Sequence, residues 1–136
     1  MYPVFVYGTL KPQEAAYEKY CDPFVVSAQP AIMRGELFHL PQGYPAMTVG
    51  DRWIRGALLT FRDAAAIARI DHFEDYDPMR PPHANLYQRL RQPVFAITQQ
   101  PLGTAWVYLM SPQQVCVLGG TRVDNGRWSK QLFPSI

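Results

Sequence analysis

The sequence predicts an α+β domain: a small mixed β-barrel of five to seven strands with about two flanking helices. Three observations carry that prediction. Segments of strand character recur along the chain, and helix-like segments number only two. The two kinds do not alternate in the β-α-β-α order that a doubly wound parallel sheet needs. At 136 residues the chain is read as a single domain, residues 1–136, long enough to bury a core.

Val4, Phe5 and Val6 are strand formers bounded by Pro3 and Gly8, so the first strand ends in the turn Tyr7-Gly8-Thr9-Leu10. After Pro12, the run Gln13 to Tyr20 has helix chemistry and stops before Asp22-Pro23. Val25 to Leu40 reads as extended chain, with Ala31, Met33, Gly35, Leu37 and His39 on one parity and Ile32, Arg34, Glu36, Phe38 and Leu40 on the other. Pro41-Gln42-Gly43 is a turn, and Tyr44 to Val49 a short strand interrupted by Pro45. Trp53 to Phe61 is another strand, with Gly56 as a bulge or a point of close approach.

Asp63 then caps a helix that runs to about Glu74 or Tyr76. The proline-rich stretch 77–85 must loop. Leu86 to Ile97 and Thr104 to Met110 are the last clear strands, and Val115 to Leu118 could add a short pairing within an irregular tail.

Composition excludes several classes of function. Hydrophobic residues make up 48% and charged residues 18%, which is a globular balance. The net charge is +2 and no Lys/Arg run is present, so no nucleic-acid partner is expected. No apolar run approaches the ~18 residues of a membrane span, and no basic-then-apolar leader opens the chain. Two cysteines, Cys21 and Cys116, define neither a disulfide framework nor a zinc site, so a cytoplasmic location is expected.

The helix from residue 63 holds the most informative side chain. At 100° per residue, Ala66, Ile67, Ile70 and Phe73 form one apolar stripe, and Glu74 falls about 20° from Ile67, inside it. A carboxyl on the core-facing side has its pKa driven toward neutrality, as a proton-shuttling acid/base requires. The alternative is a frayed helix end where Glu74 reaches solvent. Asp71, Asp75 and Asp77 read as a solvated acidic surface rather than a metal site, and no metal is expected. The sequence has no G-x-S-x-G elbow and no P-loop, and neither cysteine has a catalytic context. An enzyme built on these residues is expected to need no covalent intermediate and no cofactor.

The Tyr7-Gly8-Thr9-Leu10 turn has two readings. It is either a plain strand-to-helix corner, or a concave array of N–H donors for carboxylate or carbonyl oxygens, with the Thr9 hydroxyl beside it.

Taken together, the early V-F-V-Y-G-T-L, the helix ending I-D-H-F-E-D-Y and the following L-Y-Q-R-L-R-Q-P-V resemble the gamma-glutamylcyclotransferase-like family, which includes the AIG2-like proteins. The G-T-A-W-V-Y strand ending at Tyr108 and Gly126-Arg127-Trp128 agree with it. The resemblance implies a small barrel with a cavity, in which Tyr7 to Leu10 bind the glutamyl part of a small gamma-glutamyl substrate. It assigns Glu74 as the catalytic carboxylate and has Tyr87, Arg89 and Tyr108 line or brace the cavity. The chain departs from the pattern at Asp75, where members often carry glycine, and in the proline-rich 79–85 stretch.

The implied reaction needs no enzyme nucleophile. The substrate's own α-amine attacks the γ-carbonyl, closes 5-oxoproline and expels the attached amine, while one carboxylate moves the protons. The competing expectation is a non-catalytic small-molecule binding domain of the same fold. The sequence leaves the leaving group and the oligomeric state open.

Overall fold

A computed structural model describes residues 1–134. Strands β1 (Tyr2–Val6), β2 (Val25–His39), β3 (Pro45–Phe61), β4 (Gln88–Phe95), β5 (Pro101–Leu109) and β6 (Thr121–Arg122) form one sheet in the order β3-β1-β5-β4-β2-β6. A further pairing of β3 with β2 closes the first five strands into a ring. The seams are narrow: β1 meets β5 in parallel at Val4↔Trp106, and β2 meets β4 at Ile32↔Phe95. Every other pairing is antiparallel, so the sheet is mixed as expected.

The strand β1 is buried on both faces because the alternation of its side chains feeds two cores. Phe5 and Tyr7 point into one cluster with Met33, Leu37, Ile54, Val107 and Trp128. Val4 and Val6 point into the other, with Leu59, Phe61 and Tyr108, and helix α2 (Ala64–Phe73) covers this second core. Ala66, Ile67 and Ile70 are its buried residues, as the stripe predicts. Trp128, Phe5 and Phe61 are each at most 1% exposed, and each such burial is worth roughly 1.5–3 kcal/mol.

Several boundaries differ from the sequence reading. Residues 45–61 form one 17-residue strand rather than two. The register shifts of this pairing fall at Val25/Ser27 and Gly35/Glu36, not at Gly56. Gly56 serves close approach instead, since a Cβ there would collide with the Val6 carbonyl. The helix after Pro12 shrinks to α1, Tyr17–Tyr20. The tail forms a third helix, α3 (Pro112–Val117), in place of a strand pairing. Its cause is local: the Ser111 side chain accepts from the Gln114 N–H, and Pro112 fits the first turn. Among the described residues, no helix is long and apolar enough to cross a membrane.

Candidate active site

A cavity of about 330 Å³ opens where the loop after β1, the 43–45 turn and the end of α2 converge. Tyr7, Gly8, Thr9 and Leu10 line it from the loop, and Glu74 from the helix. Tyr87, just before β4, and Tyr108, from β5, also line it. Seven of the eight residues singled out in the sequence therefore meet at one cavity. The eighth, Arg89, does not line it.

The helix end delivers Glu74. Asp63 starts α2 by accepting the Ala65 N–H at 2.9 Å. The chain reverses at Asp75, which takes φ +53°, in the left-handed region. The Tyr76 N–H reaches back to the Asp71 carbonyl at 2.9 Å, and the Asp75 N–H to His72 at 3.2 Å. These two bonds form a Schellman closure, with Asp75 in the place glycine usually fills. Glu74 is thus the last residue before the reversal, and its side chain turns to the apolar core rather than to bulk solvent.

Phe5, Val6, Leu10, Phe73 and Leu86 give the surrounding wall its apolar side chains, and among the described residues of the lining Glu74 is the sole Asp, Glu, Lys, Arg or His. Among the described residues, no hydrogen bond or ion pair holds the Glu74 carboxyl. Burial alone pushes its pKa up from 4.5 to about 8. Its residual exposure is intermediate, as suits a group that faces an open cavity. The charge is felt nearby: Tyr7 and Tyr44 are raised first by burial and then by Glu74. The buried Cys21 thiol is pushed up to about 12 by burial and then by Glu74, which leaves it un-ionised at neutral pH.

The loop that lines Glu74's cavity carries backbone donors without an acceptor among the described residues. The Lys11 N–H donates to the Gly8 carbonyl at 3.0 Å, and the Ala16 N–H to the Thr9 carbonyl at 3.1 Å. Among the described residues, none accepts from the N–H groups of Gly8, Thr9 or Leu10. Gly8 does not use the left-handed region, which Gly43, Gly103, Gly119 and Gly126 occupy. It supplies room: a Cβ on Gly8 would run into the ring of Pro45.

Three tyrosines fix the walls. The Tyr7 hydroxyl donates to the Tyr108 carbonyl at 2.5 Å and accepts the Met47 N–H at 3.3 Å. The Tyr87 hydroxyl donates to the Pro45 carbonyl at 2.6 Å. The Tyr108 hydroxyl donates to Asp71 Oδ1 at 2.5 Å, and Arg89 Nη1 donates to Asp71 Oδ2 at 2.8 Å. Burial outweighs those partners and holds the Asp71 pKa above its usual value. The Tyr108 pKa is raised by burial and then by its bond to Asp71, so the shared proton belongs to the tyrosine.

Asp71 overturns the expectation of a solvated acidic surface. Its side chain is 14% exposed and fully engaged. The signal was present in the helical wheel, where Asp71 lies about 40° from Ile67, at the edge of the apolar stripe. Asp75 and Asp77 are exposed, and Asp75 pairs with Arg80 at 3.1 Å. Among the described residues, no three His, Cys, Asp or Glu side chains gather closely enough to hold a metal ion.

Comparison with known proteins agrees with this architecture. The family model described as "Gamma-glutamyl cyclotransferase, AIG2-like" matches residues 4–130. Among solved structures, the chain is similar to YkqA from Bacillus subtilis, with TM-score 0.66 and 22% identity over 93% of this chain. It spans 39% of YkqA, well under half of that protein. It is also similar to an aig2-like protein from Mus musculus, with TM-score 0.63 and 21% identity over 85% of this chain and 82% of that one. For ytfP from Escherichia coli the TM-score is 0.61 and the identity 23%, over 93% of this chain and 95% of that one. At these identities the likeness is one of fold. No curated protein sequence matches the chain.

Proposed function

The chain belongs to the gamma-glutamyl cyclotransferase, AIG2-like family, and on that premise we propose that it converts a gamma-glutamyl amino acid or gamma-glutamyl amine to 5-oxoproline and the free amine. Glu74 is the general acid/base. One observation carries the reading: an unpaired carboxyl with a pKa raised to about 8 shares a cavity with the unpaired N–H groups of residues 8–10.

The chemistry follows from these groups. The N–H array of Gly8 to Leu10 takes the substrate's α-carboxylate or polarises its γ-carbonyl. The ionised Glu74 draws a proton from the α-ammonium, and the freed amine attacks the γ-carbonyl carbon to close a five-membered ring. The tetrahedral intermediate then breaks its bond to the leaving nitrogen, which Glu74 protonates. Over the whole reaction two protons leave the α-nitrogen and two arrive on the departing amine, with no water consumed. A raised pKa suits both halves of this shuttle, because the group is neither too weak a base nor too weak an acid near neutrality. The mostly apolar walls exclude competing water and hold the substrate folded on itself.

The test is direct incubation with a panel of gamma-glutamyl amino acids, amines and glutathione, with 5-oxoproline as the readout. Release by the wild-type protein and its loss in Glu74→Gln support the assignment. Near wild-type release by Glu74→Gln overturns it. Binding without release in the wild type favours the non-catalytic domain instead.

A further inference from the structure

Gly126-Arg127-Trp128 has no part in the chemistry above, yet the segment it begins touches two lips of the cavity. We infer that residues 126–130 are a strap that positions the substrate loop against the 43–45 turn, with Lys130 and Glu14 as its positioning residues. The effect on turnover rests on the cyclotransferase reading, whereas the mechanical coupling does not.

The strap has a firm anchor. Trp128 is 0% exposed, and its indole Nε1 donates to His39 Nδ1 on β2 at 3.1 Å. Its ring stacks with those of His39 and Phe133. Two residues earlier, the Gly126 carbonyl accepts the Arg55 N–H at 2.8 Å, from the middle of β3. Gly126 holds φ +69°, and a Cβ there would collide with the Trp53 carbonyl, so glycine is required for this approach. The segment is therefore fixed to the barrel before it reaches the cavity.

From that anchor it grips both lips. Toward the loop, Lys11 Nζ donates to the Trp128 carbonyl, and the Lys130 N–H donates to Glu14 Oε1 at 3.0 Å. Lys11 follows directly on the cavity-lining Gly8, Thr9 and Leu10. Toward the turn, Lys130 Nζ donates to the Gly43 carbonyl at 3.2 Å, and Gly43 lines the cavity. The two lips approach each other at Gly8 and Pro45. The loop's own bonds, from the Lys11 N–H to Gly8 and the Ala16 N–H to Thr9, fix its turn but do not tie it to the 43–45 turn, and the strap supplies that link. One lysine contributing its backbone to one lip and its ammonium to the other does this.

The test compares amide hydrogen exchange in residues 8–14 and 41–45 with steady-state kinetics, using Lys130→Met, which keeps the stem and removes the donor. Coupling predicts faster exchange at both lips by about fivefold or more, although the lip bond that the substitution removes is the one to the Gly43 carbonyl. It also predicts a KM about tenfold higher with kcat within about twofold, since the strap shapes binding rather than chemistry. Lys130→Arg restores both, and Glu14→Ala speeds exchange in 41–45 from the opposite end. Unchanged exchange in 8–14 in Lys130→Met overturns the strap, as does a fall in kcat at constant KM. Should the wild type release no 5-oxoproline from any substrate, the reaction reading fails and exchange across the two lips decides the strap alone.

Discussion

Tyr108 donates its hydroxyl to Asp71 at 2.5 Å, tying a wall of the cavity on β5 to the last full turn of α2. Arg89 takes the other carboxylate oxygen at 2.8 Å, so β4, β5 and the helix meet at one partly buried group. This junction stands one helical turn before Glu74 and therefore sets where the Glu74 carboxyl enters the cavity. Asp71→Ala leaves a buried hydroxyl and a half-buried guanidinium without their acceptor, which costs about 2–4 kcal/mol. Urea denaturation measures it, and a cycle with Tyr108→Phe should show a coupling of about 1 kcal/mol or more. A loss under about 0.5 kcal/mol would mean that Asp71 acts as an ordinary surface carboxylate.

Glu74 should destabilise the fold it serves. Its pKa is raised by burial from 4.5 to about 8, so the folded state holds a proton that the unfolded chain releases. Stability from this group is fully present below pH 4.5 and is lost as pH rises through about 8. Glu74→Gln, which cannot ionise, should therefore be more stable than the wild type at pH 8, by roughly 2–4 kcal/mol once the open face of the carboxyl is allowed for. The advantage should shrink toward pH 4.5. Denaturation midpoints of the two proteins across that range check it, and parallel curves would contradict a buried, unpaired Glu74.

The same shift fixes the pH dependence of turnover. In the proposed mechanism the free protein needs Glu74 ionised to accept the first proton, so kcat/KM should climb about tenfold per pH unit and level off near 8, the Glu74 value. Initial rates of 5-oxoproline release between a pH of about 3.5 and about 9 test this. An acidic limb centred near 4.5, the ordinary carboxyl value, would show that Glu74 is not the titrating base.

How far the sequence reached depends on the range of the forces involved. The stripe Ala66, Ile67, Ile70 was readable because helical spacing is a local property, and Glu74 stood out against it. The resemblance has Arg89 line or brace the cavity; its guanidinium is held by Asp71 rather than aimed into the lining, and which acceptor wins a guanidinium depends on strands distant in sequence. Val115 to Leu118 have the strand character that allows a short pairing, but Ser111 and Pro112 start a helix ahead of them by capping. Asp75 looked like a departure from the family pattern, yet it adopts the left-handed conformation that a glycine would, so the helix reversal survives the change. The closure of the ring at Val4↔Trp106 and Ile32↔Phe95 had no sequence signature, since each seam rests on one residue pair far apart in the chain.

Gly8 offers the clearest separation of fold from binding. A Cβ there would strike the ring of Pro45, 3.0 Å from its Cδ and closer still to its Cγ, so the loop must retreat from the 43–45 turn. Gly8→Val adds two methyl groups to that conflict and should cost about 1–3 kcal/mol, read from the denaturation midpoint. The N–H donors of residues 8–10 move with the loop, so affinity for a gamma-glutamyl compound should disappear. Calorimetry in a Glu74→Gln background, where the substrate is not consumed, measures that affinity. Relieving the clash distinguishes the two effects: Gly8→Ala combined with Pro45→Ala gives the new Cβ space and should recover part of both stability and binding. Full affinity in Gly8→Val would make the turn a plain corner, with no donor role for its N–H groups.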